Sequence, residues 1–521
     1  MTTINPILLE VFKNRFAAIA EEMGVSLTRT AFSPNIKERR DLSCAVFDAS
    51  GEMIAQAAHI PVHLGSMPLS VQAAIAACDM AAGDMVLLND PYRGGTHLPD
   101  VTLVAPVFAG GGRPAFYVAN RAHHADVGGM TAGSMPLSTS LFQEGLVIPP
   151  VKLVKRGAVD AEIMRLLLAN VRTPHEREGD FAAQVMANAT GVRRLCELIA
   201  KYGLDTVSGY AGALLDYAEA IARARIARIP DGRYEFADVL DGDGLGGGEV
   251  AIRLAMTVRG EEAELDFTAS DDQMKGSLNA VRAITLSAVL YCFRSLITRD
   301  VPTNAGIMRP LSVLTRPGSV LDAHFPAAVA GGNVETSQRV VDVVLGALAQ
   351  ALPDEVPAAS QGTMNNVTIG GLDPRTDTPF AYYETLGGGM GAWRGGDGES
   401  AVHAHMTNTL NTPIEALEYS YPFRARAYGV RTGTGGAGLR RGGDGMVREL
   451  ELLAESEVTV LSERRERGAY GLMGGKPGEP GRNTARIDGE TTELPGKFSR
   501  RFPAGTILRI ETPGGGGFGQ R

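Results

Sequence analysis

Five of the nine histidines, His59, His63, His97, His123 and His124, fall between residues 59 and 124, and Asp90, Asp100 and Asp126 share that stretch. Imidazole and carboxylate together form the ligand set for zinc, manganese or iron, which take borderline to hard donors held in a rigid frame. His97 and Asp100 are three positions apart, as are His123 and Asp126. On a helical turn that spacing puts both side chains on one side. A single His-x-x-Asp is commonly only a hydrogen-bonded loop pair; its recurrence, with Asp90 and His124 close by, points to chemistry. The predicted ligands of a divalent metal (Mn, Zn or Fe) are Asp90, His97, Asp100, His123 and Asp126.

Such ligands need stiff supports. Apolar runs at 85–88, 101–107 and 115–119 read as strands, with one polar cluster at 89–100 and the next beginning at Asn120. Both clusters therefore sit at strand ends, where a sheet aims side chains into a cleft. Within the first, Gly94-Gly95 allows a tight turn and Pro91 and Pro99 stiffen its ends. Glu144 follows a Gly/Ser/Thr-rich stretch, 128–140, that reads as a mobile cover. It is then an acid/base or a substrate contact, or else a solvated glutamate. His59 and His63 are open between ligation and packing. His403 and His405 alternate on a predicted strand and read as core or interface, and His175 and His324 as loop residues.

Around this centre, a helix is predicted over residues 6–30, capped by Asn5, with Phe12, Phe16, Ile19 and Met23 on its apolar stripe. A hairpin is expected over 41–58, and helices over 69–80, 178–202, 206–229, 278–296 and 336–352. Strands are expected at 250–258 and 263–267, and strands with glycine turns beyond 360. The tail 512–519 reads equally as a flexible end or a close-packed turn. The expected class is α+β, multidomain, with mixed sheets. Residues 1–230 would form an N-terminal metal-binding α/β domain with a helical segment, 231–430 a central α+β domain, and 431–521 a glycine-rich, β-dominated C-terminal domain.

The 521 residues are 44% hydrophobic and 21% charged, close to globular averages. A net charge of −9 argues against a nucleic-acid binder. No apolar run approaches the ~20 residues of a membrane span, and the first residues lack a secretory pattern, so the cytoplasm is the expected compartment. Cys44, Cys78, Cys196 and Cys292 are scattered and read as small buried hydrophobes. Two GxGxxG matches, at 433–438 and 242–247, do not open a helix after a strand, and Pro477 spoils the P-loop-like run 471–476. ATP, if used, must bind another chain.

The segments His59-Ile60-Pro61-Val62-His63-Leu64-Gly65-Ser66-Met67, Asn89-Asp90-Pro91 with Gly94-Gly95-Thr96-His97-Leu98-Pro99-Asp100, and Arg121-Ala122-His123-His124-Ala125-Asp126-Val127-Gly128-Gly129 resemble the hydantoinase B/oxoprolinase family. Gln143-Glu144-Gly145, Asn408-Thr409-Leu410-Asn411-Thr412-Pro413-Ile414-Glu415 and 435–445 extend the resemblance over nearly the whole chain. It implies a subunit of an ATP-dependent cyclic amidase, working in a hetero-oligomer such as A2B2 with a hydantoinase A-type ATPase subunit that binds ATP. The partner would phosphorylate the carbonyl oxygen of a hydantoin or lactam, and this chain would open the ring with water activated by the metal. In that scheme His124 is the general base or hydrogen-bond donor, and His63, Ser66 and Arg93 are substrate contacts. The family also includes acetone and acetophenone carboxylase subunits, so a carboxylase subunit and a non-catalytic scaffold are the alternatives.

Overall fold

The computed structural model describes residues 4–57 and 60–520, so His59 lies outside the described residues. Helix α1 (Pro6–Thr30) starts where Asn5 accepts hydrogen bonds from the Ile7 and Leu8 amides, and it buries Phe12, Phe16, Ile19 and Met23 as its periodicity requires. The stripe lies on a seven-stranded sheet built from β1 (Leu42–Asp48), β2 (Met53–Gln56), β3 (Met85–Leu88), β4 (Asp100–Val107), β5 (Phe116–His123), β6 (Val151–Lys155) and β7 (Ala158–Val159). Its strand order is β2-β1-β5-β4-β3-β6-β7, antiparallel throughout. The N-terminal region is therefore not the α/β arrangement expected from strands alternating with helices.

The helix Pro174–Tyr202 packs beside α1 against β4 and β5, while the helix Met67–Ala77 covers the other face with Met67, Val71 and Ala74. With both faces covered, every residue of β4 and β5 is buried. Strand β5 runs four residues further than its apolar run predicts. Its polar end remains a strand because each group finds a partner: Asn120 bonds Gln184 and Asn188, and Arg121 bonds three hydroxyls.

The main apolar core continues past residue 230, taking in Leu240, Ile252 and Leu254 of a second, four-stranded sheet (residues 232–314) and the helices Arg282–Ser295 and Ser337–Ala351. A five-residue π turn, Gly332–Thr336, leads into the second of these helices. Sheets of four and five strands make up the C-terminal part around a separate core that includes Ile369, Phe423, Val458 and Leu508. The architecture is thus mixed α+β with several sheets.

The glycine tail is close-packed. The amides of Gly515, Gly516 and Gly517 donate to the carbonyls of Gly443, Ala359 and Lys476 at 2.8–2.9 Å. A Cβ on Gly515 would lie 2.0 Å from the Met390 carbonyl oxygen, so only glycine lets these backbones meet. Cys44 and Cys292 are buried as expected, but Cys196 is exposed. Among the described residues no helix is long and apolar enough to cross a membrane.

Candidate metal centre

Strand β4 opens at Asp100 and β5 closes at His123, and the two residues are direct partners in the antiparallel register. The loop before β4 is shaped by Asp90, which caps a short turn through the Tyr92 amide, and by Gly94 (φ +88), where a Cβ would fall 2.4 Å from the Leu69 carbonyl oxygen. The Asp100 amide then donates to the His97 carbonyl at 3.1 Å, closing a turn that returns the imidazole to the carboxylate. Helical-type spacing therefore works at 97/100. It does not work at 123/126, because His123 ends an extended strand.

Among the described residues, His97, Asp100 and His123 are the group whose ligating atoms lie within 4.8 Å of one another, and all three are buried. His97 Nε2 and His63 Nε2 each lie 3.3 Å from Asp100 Oδ2, and the Thr96 hydroxyl donates to the same oxygen at 2.6 Å. Asn333, on the π turn, places Nδ2 3.0 Å from His97 Nε2. Asn35 Nδ2 sits 3.2 Å from His123 Nδ1, and the ring stacks on Tyr383 with centroids 4.5 Å apart.

These contacts leave His97 Nδ1, Asp100 Oδ1 and His123 Nε2 buried with no hydrogen-bond partner among the described residues. Three unpaired ligand atoms would be costly without an occupant. His63, Asp100, His123 and Asn333 line a cavity of ≈ 20 Å³, room for a single ion or water. The donor set and the orphaned atoms fit a divalent cation.

The electrostatics suit that reading. Burial opposes charge on Asp100, but His97 and His63 hold its carboxyl well below the usual carboxylate range. Burial, reinforced by His97, pushes His123 well below an ordinary histidine, leaving the neutral imidazole that ligates metals. Beneath the sheet end lies the buried Arg121 guanidinium, held by Thr102, Ser66 and Ser70 at 2.6–2.8 Å and lowered by burial to about 10.

Asp41 and Asn333 belong to the cavity wall but escape sequence reasoning. Asp41 is joined to His123 by a 3.0 Å bond from the His123 amide to its carbonyl, and burial raises its carboxyl. It stands alone before β1 with no partner at a telling spacing. Asn333 lies more than two hundred residues from His97 (|i−j|=236), and only Gly331-Gly332 hints at its irregular turn.

The other expected site residues fall elsewhere. Asp126 accepts from the Arg172 guanidinium and amide at 2.8 Å. His124 turns to the helix Pro174–Tyr202, with Nε2 3.0 Å from Gln184 Oε1, and burial lowers it to about 4. Asp90 caps its own turn and pairs with the exposed Arg93 at 3.5 Å. Ser66 accepts from Arg121. Glu144 is buried, and its Oε1 accepts from the Ser138 hydroxyl and the Val329 and Ala330 amides. The stretch 128–140 is largely buried, with Gly129, Met130 and Thr139 exposed, and so is mostly packed down rather than standing open as a cover.

Several packed sheets with a buried His/Asp centre at the end of one of them define the class: an α+β protein with a candidate metal site. The chain belongs to the hydantoinase B/oxoprolinase family, whose pattern matches residues 5–521. It is 40% identical to a 5-oxoprolinase of Dictyostelium discoideum over 531 residues, spanning 100% of this chain but 41% of that protein. A relative from a Pseudomonas species, named as the B-type component of a D-/L-hydantoinase, is 30% identical, with 99% of this chain and 90% of the relative covered. The structure is similar to that of the ATP-dependent caprolactamase from Pseudomonas jessenii, with TM-score 0.92, 31% identity, and 100% and 92% of the two chains covered.

Proposed function

We propose that this chain is the ring-opening subunit of an ATP-dependent cyclic amidase, acting on a hydantoin or lactam activated by an A-type ATPase partner in a hetero-oligomer such as A2B2. The observation that carries the reading is the buried trio His97, Asp100 and His123, whose ligating atoms lie within 4.8 Å of one another and which keeps His97 Nδ1, Asp100 Oδ1 and His123 Nε2 without a hydrogen-bond partner among the described residues. The family membership and the caprolactamase likeness support the reaction class.

The chemistry is coherent. Amide resonance makes an unstrained ring carbonyl a poor electrophile. Phosphorylating its oxygen in the partner removes that resonance and creates a leaving group. His97, Asp100 and His123 would hold the cation, and their donor types suit Mn, Zn or Fe. Bound there, it supplies Lewis-acid polarisation and brings the pKa of water toward about 7. The chain's own residues do the positioning. Asn333 and His63 orient His97 and Asp100, Asn35 and Tyr383 fix the His123 ring, and Asp41, on the cavity wall, would add a second carboxyl group to the site. His124, packed against Gln184, supports the strand end rather than the water.

The test is co-purification with the ATPase subunit and assay of ring opening of hydantoin and 5-oxoproline, with and without bicarbonate. ATP-dependent opening of at least one of the two rings, indifferent to bicarbonate, is expected. Bicarbonate-dependent ATP turnover without ring opening would instead identify a carboxylase. Full ring opening by a His123→Ala complex would reduce this chain to a scaffold.

A further inference from the structure

The cavity at the metal centre is far too small for any ring. Thr407 lines that cavity and also a second, larger chamber of ≈ 410 Å³, within the ~300–1,000 Å³ range of small-molecule sites. Its walls are mainly apolar, with Leu345 and Val356 among them. His403 and His405 also line it, and they do so from irregular chain rather than from the strand their alternation predicts.

His405 is 7% exposed, its Nε2 has no hydrogen-bond partner among the described residues, and its Nδ1 lies 3.2 Å from the Tyr291 hydroxyl. Its backbone is left-handed (φ 60), a conformation that a non-glycine residue keeps only where the surroundings impose it. Burial lowers His405 and brings His403 down to about 4, so both rings are neutral. Glu355, the one acidic residue on the wall among the described residues, is paired with Arg225 at 2.6 Å. The chamber therefore offers unpartnered imidazole nitrogens, on His403 and His405, and among the described residues no free charge.

We propose that this chamber binds a neutral ring amide and seats it beside the metal centre, an assignment that rests on the amidase reading. His405 Nε2 donates when the Tyr291 hydroxyl donates to Nδ1, and accepts when Nδ1 carries the proton. A ring amide presents both an N–H and a carbonyl, so it satisfies either form. A ring bearing a carboxylate, as 5-oxoproline does, would bring an unpaired charge into an apolar chamber where no cation among the described residues meets it. The chamber thus selects neutral lactams and hydantoins over carboxylated rings.

Calorimetric titration of the chain with δ-valerolactam, hydantoin and 5-oxoproline tests this. The variants are His405→Asn, which tolerates the left-handed backbone, and Leu345→Phe, which narrows the chamber; thermal melts check that both are folded. Saturable binding of the two neutral rings is expected, at least tenfold tighter than 5-oxoproline and at least tenfold weaker in each variant. Equal affinity for 5-oxoproline, affinities unchanged in both variants, or no saturable binding would overturn the assignment. Ring opening with the ATPase partner is measured separately. Turnover without lactam binding to this chain discards the chamber and keeps the amidase reading. Binding weakened by both variants, without turnover, keeps the chamber and discards that reading.

Discussion

Asp100 and His123 face each other across an antiparallel pair, the first residue of one strand opposite the last of the next. A sheet end fixes two backbones at once, so the carboxylate and the imidazole are aimed by ladder hydrogen bonds rather than by a loop. His97 joins them through a turn of three residues. The consequences are measurable.

Removing a ligand should empty the site without unfolding the chain. His123→Ala and His97→Ala are expected to lose metal by more than the about 10–100-fold that a supporting residue costs, with ring opening abolished. Metal content of the purified variants decides this, and stoichiometric metal in both would refute the ligand assignment. Asp126→Ala is expected to keep its metal, because Arg172 holds that carboxylate, and to lose roughly 1–3 kcal/mol of stability.

Asn333 tests the support. Asn333→Ala removes the 3.0 Å contact to His97 Nε2 and should weaken metal binding by about 10–100-fold with an unchanged melting temperature. Competition with a metallochromic chelator gives the affinity. An unaltered affinity would show that the π turn plays no part in orienting His97.

Arg121 is a buried cation met by three hydroxyls. Arg121→Met removes the donor from which Ser66, Ser70 and Thr102 accept and takes away a buried positive charge that Asp100 attracts. A loss of roughly 3–5 kcal/mol is expected, read from urea unfolding. Lysine should not rescue it, because a single ammonium cannot match the planar fork.

The glycine tail gives a contrasting pair. Gly515→Ala would drive a Cβ to 2.0 Å from the Met390 carbonyl oxygen, and a loss above about 4 kcal/mol is expected. Gly209 lies inside the helix Leu204–Ile226 with nothing within 4 Å of its Cβ position. There, Gly209→Ala should stabilise by about 0.5–1 kcal/mol. Similar melting temperatures for the two variants would contradict the close packing.

Glu144 makes stability depend on pH. Burial raises its carboxyl from 4.5 to about 7, despite hydrogen bonds from Ser138, Ala330 and Val329. Between those values the folded chain holds a proton that the unfolded chain has released. Its contribution is therefore fully present below about 4.5 and is lost as pH rises to about 7, on the order of 3 kcal/mol. Glu144→Gln should flatten that part of the slope in urea titrations at pH 5 and pH 7.5. Burial raises Glu335 to about 7 as well, so some slope should persist.

What the sequence determined by itself was local. Asn5, Pro6 and a regular apolar stripe set α1 to Pro6–Thr30, since caps and period act within a few turns. The apolar run at 85–88 is a strand with those same ends. His97 and Asp100 were legible as a pair because one turn joins them. The family motifs, long and contiguous, were equally plain.

Only the tertiary structure decided the rest. His123 and Asp126 share the same spacing, yet a strand end separates them and Arg172 claims the aspartate. Asp41, His63 and Asn333 reach the centre from three distant segments, a convergence that no spacing encodes. Tail glycines that composition left undecided became backbone contacts, because only the packed chain shows which carbonyl stands where a Cβ would go. Spacing along a chain fixes what one element can present; which elements meet is settled by burial and by pairing across the fold.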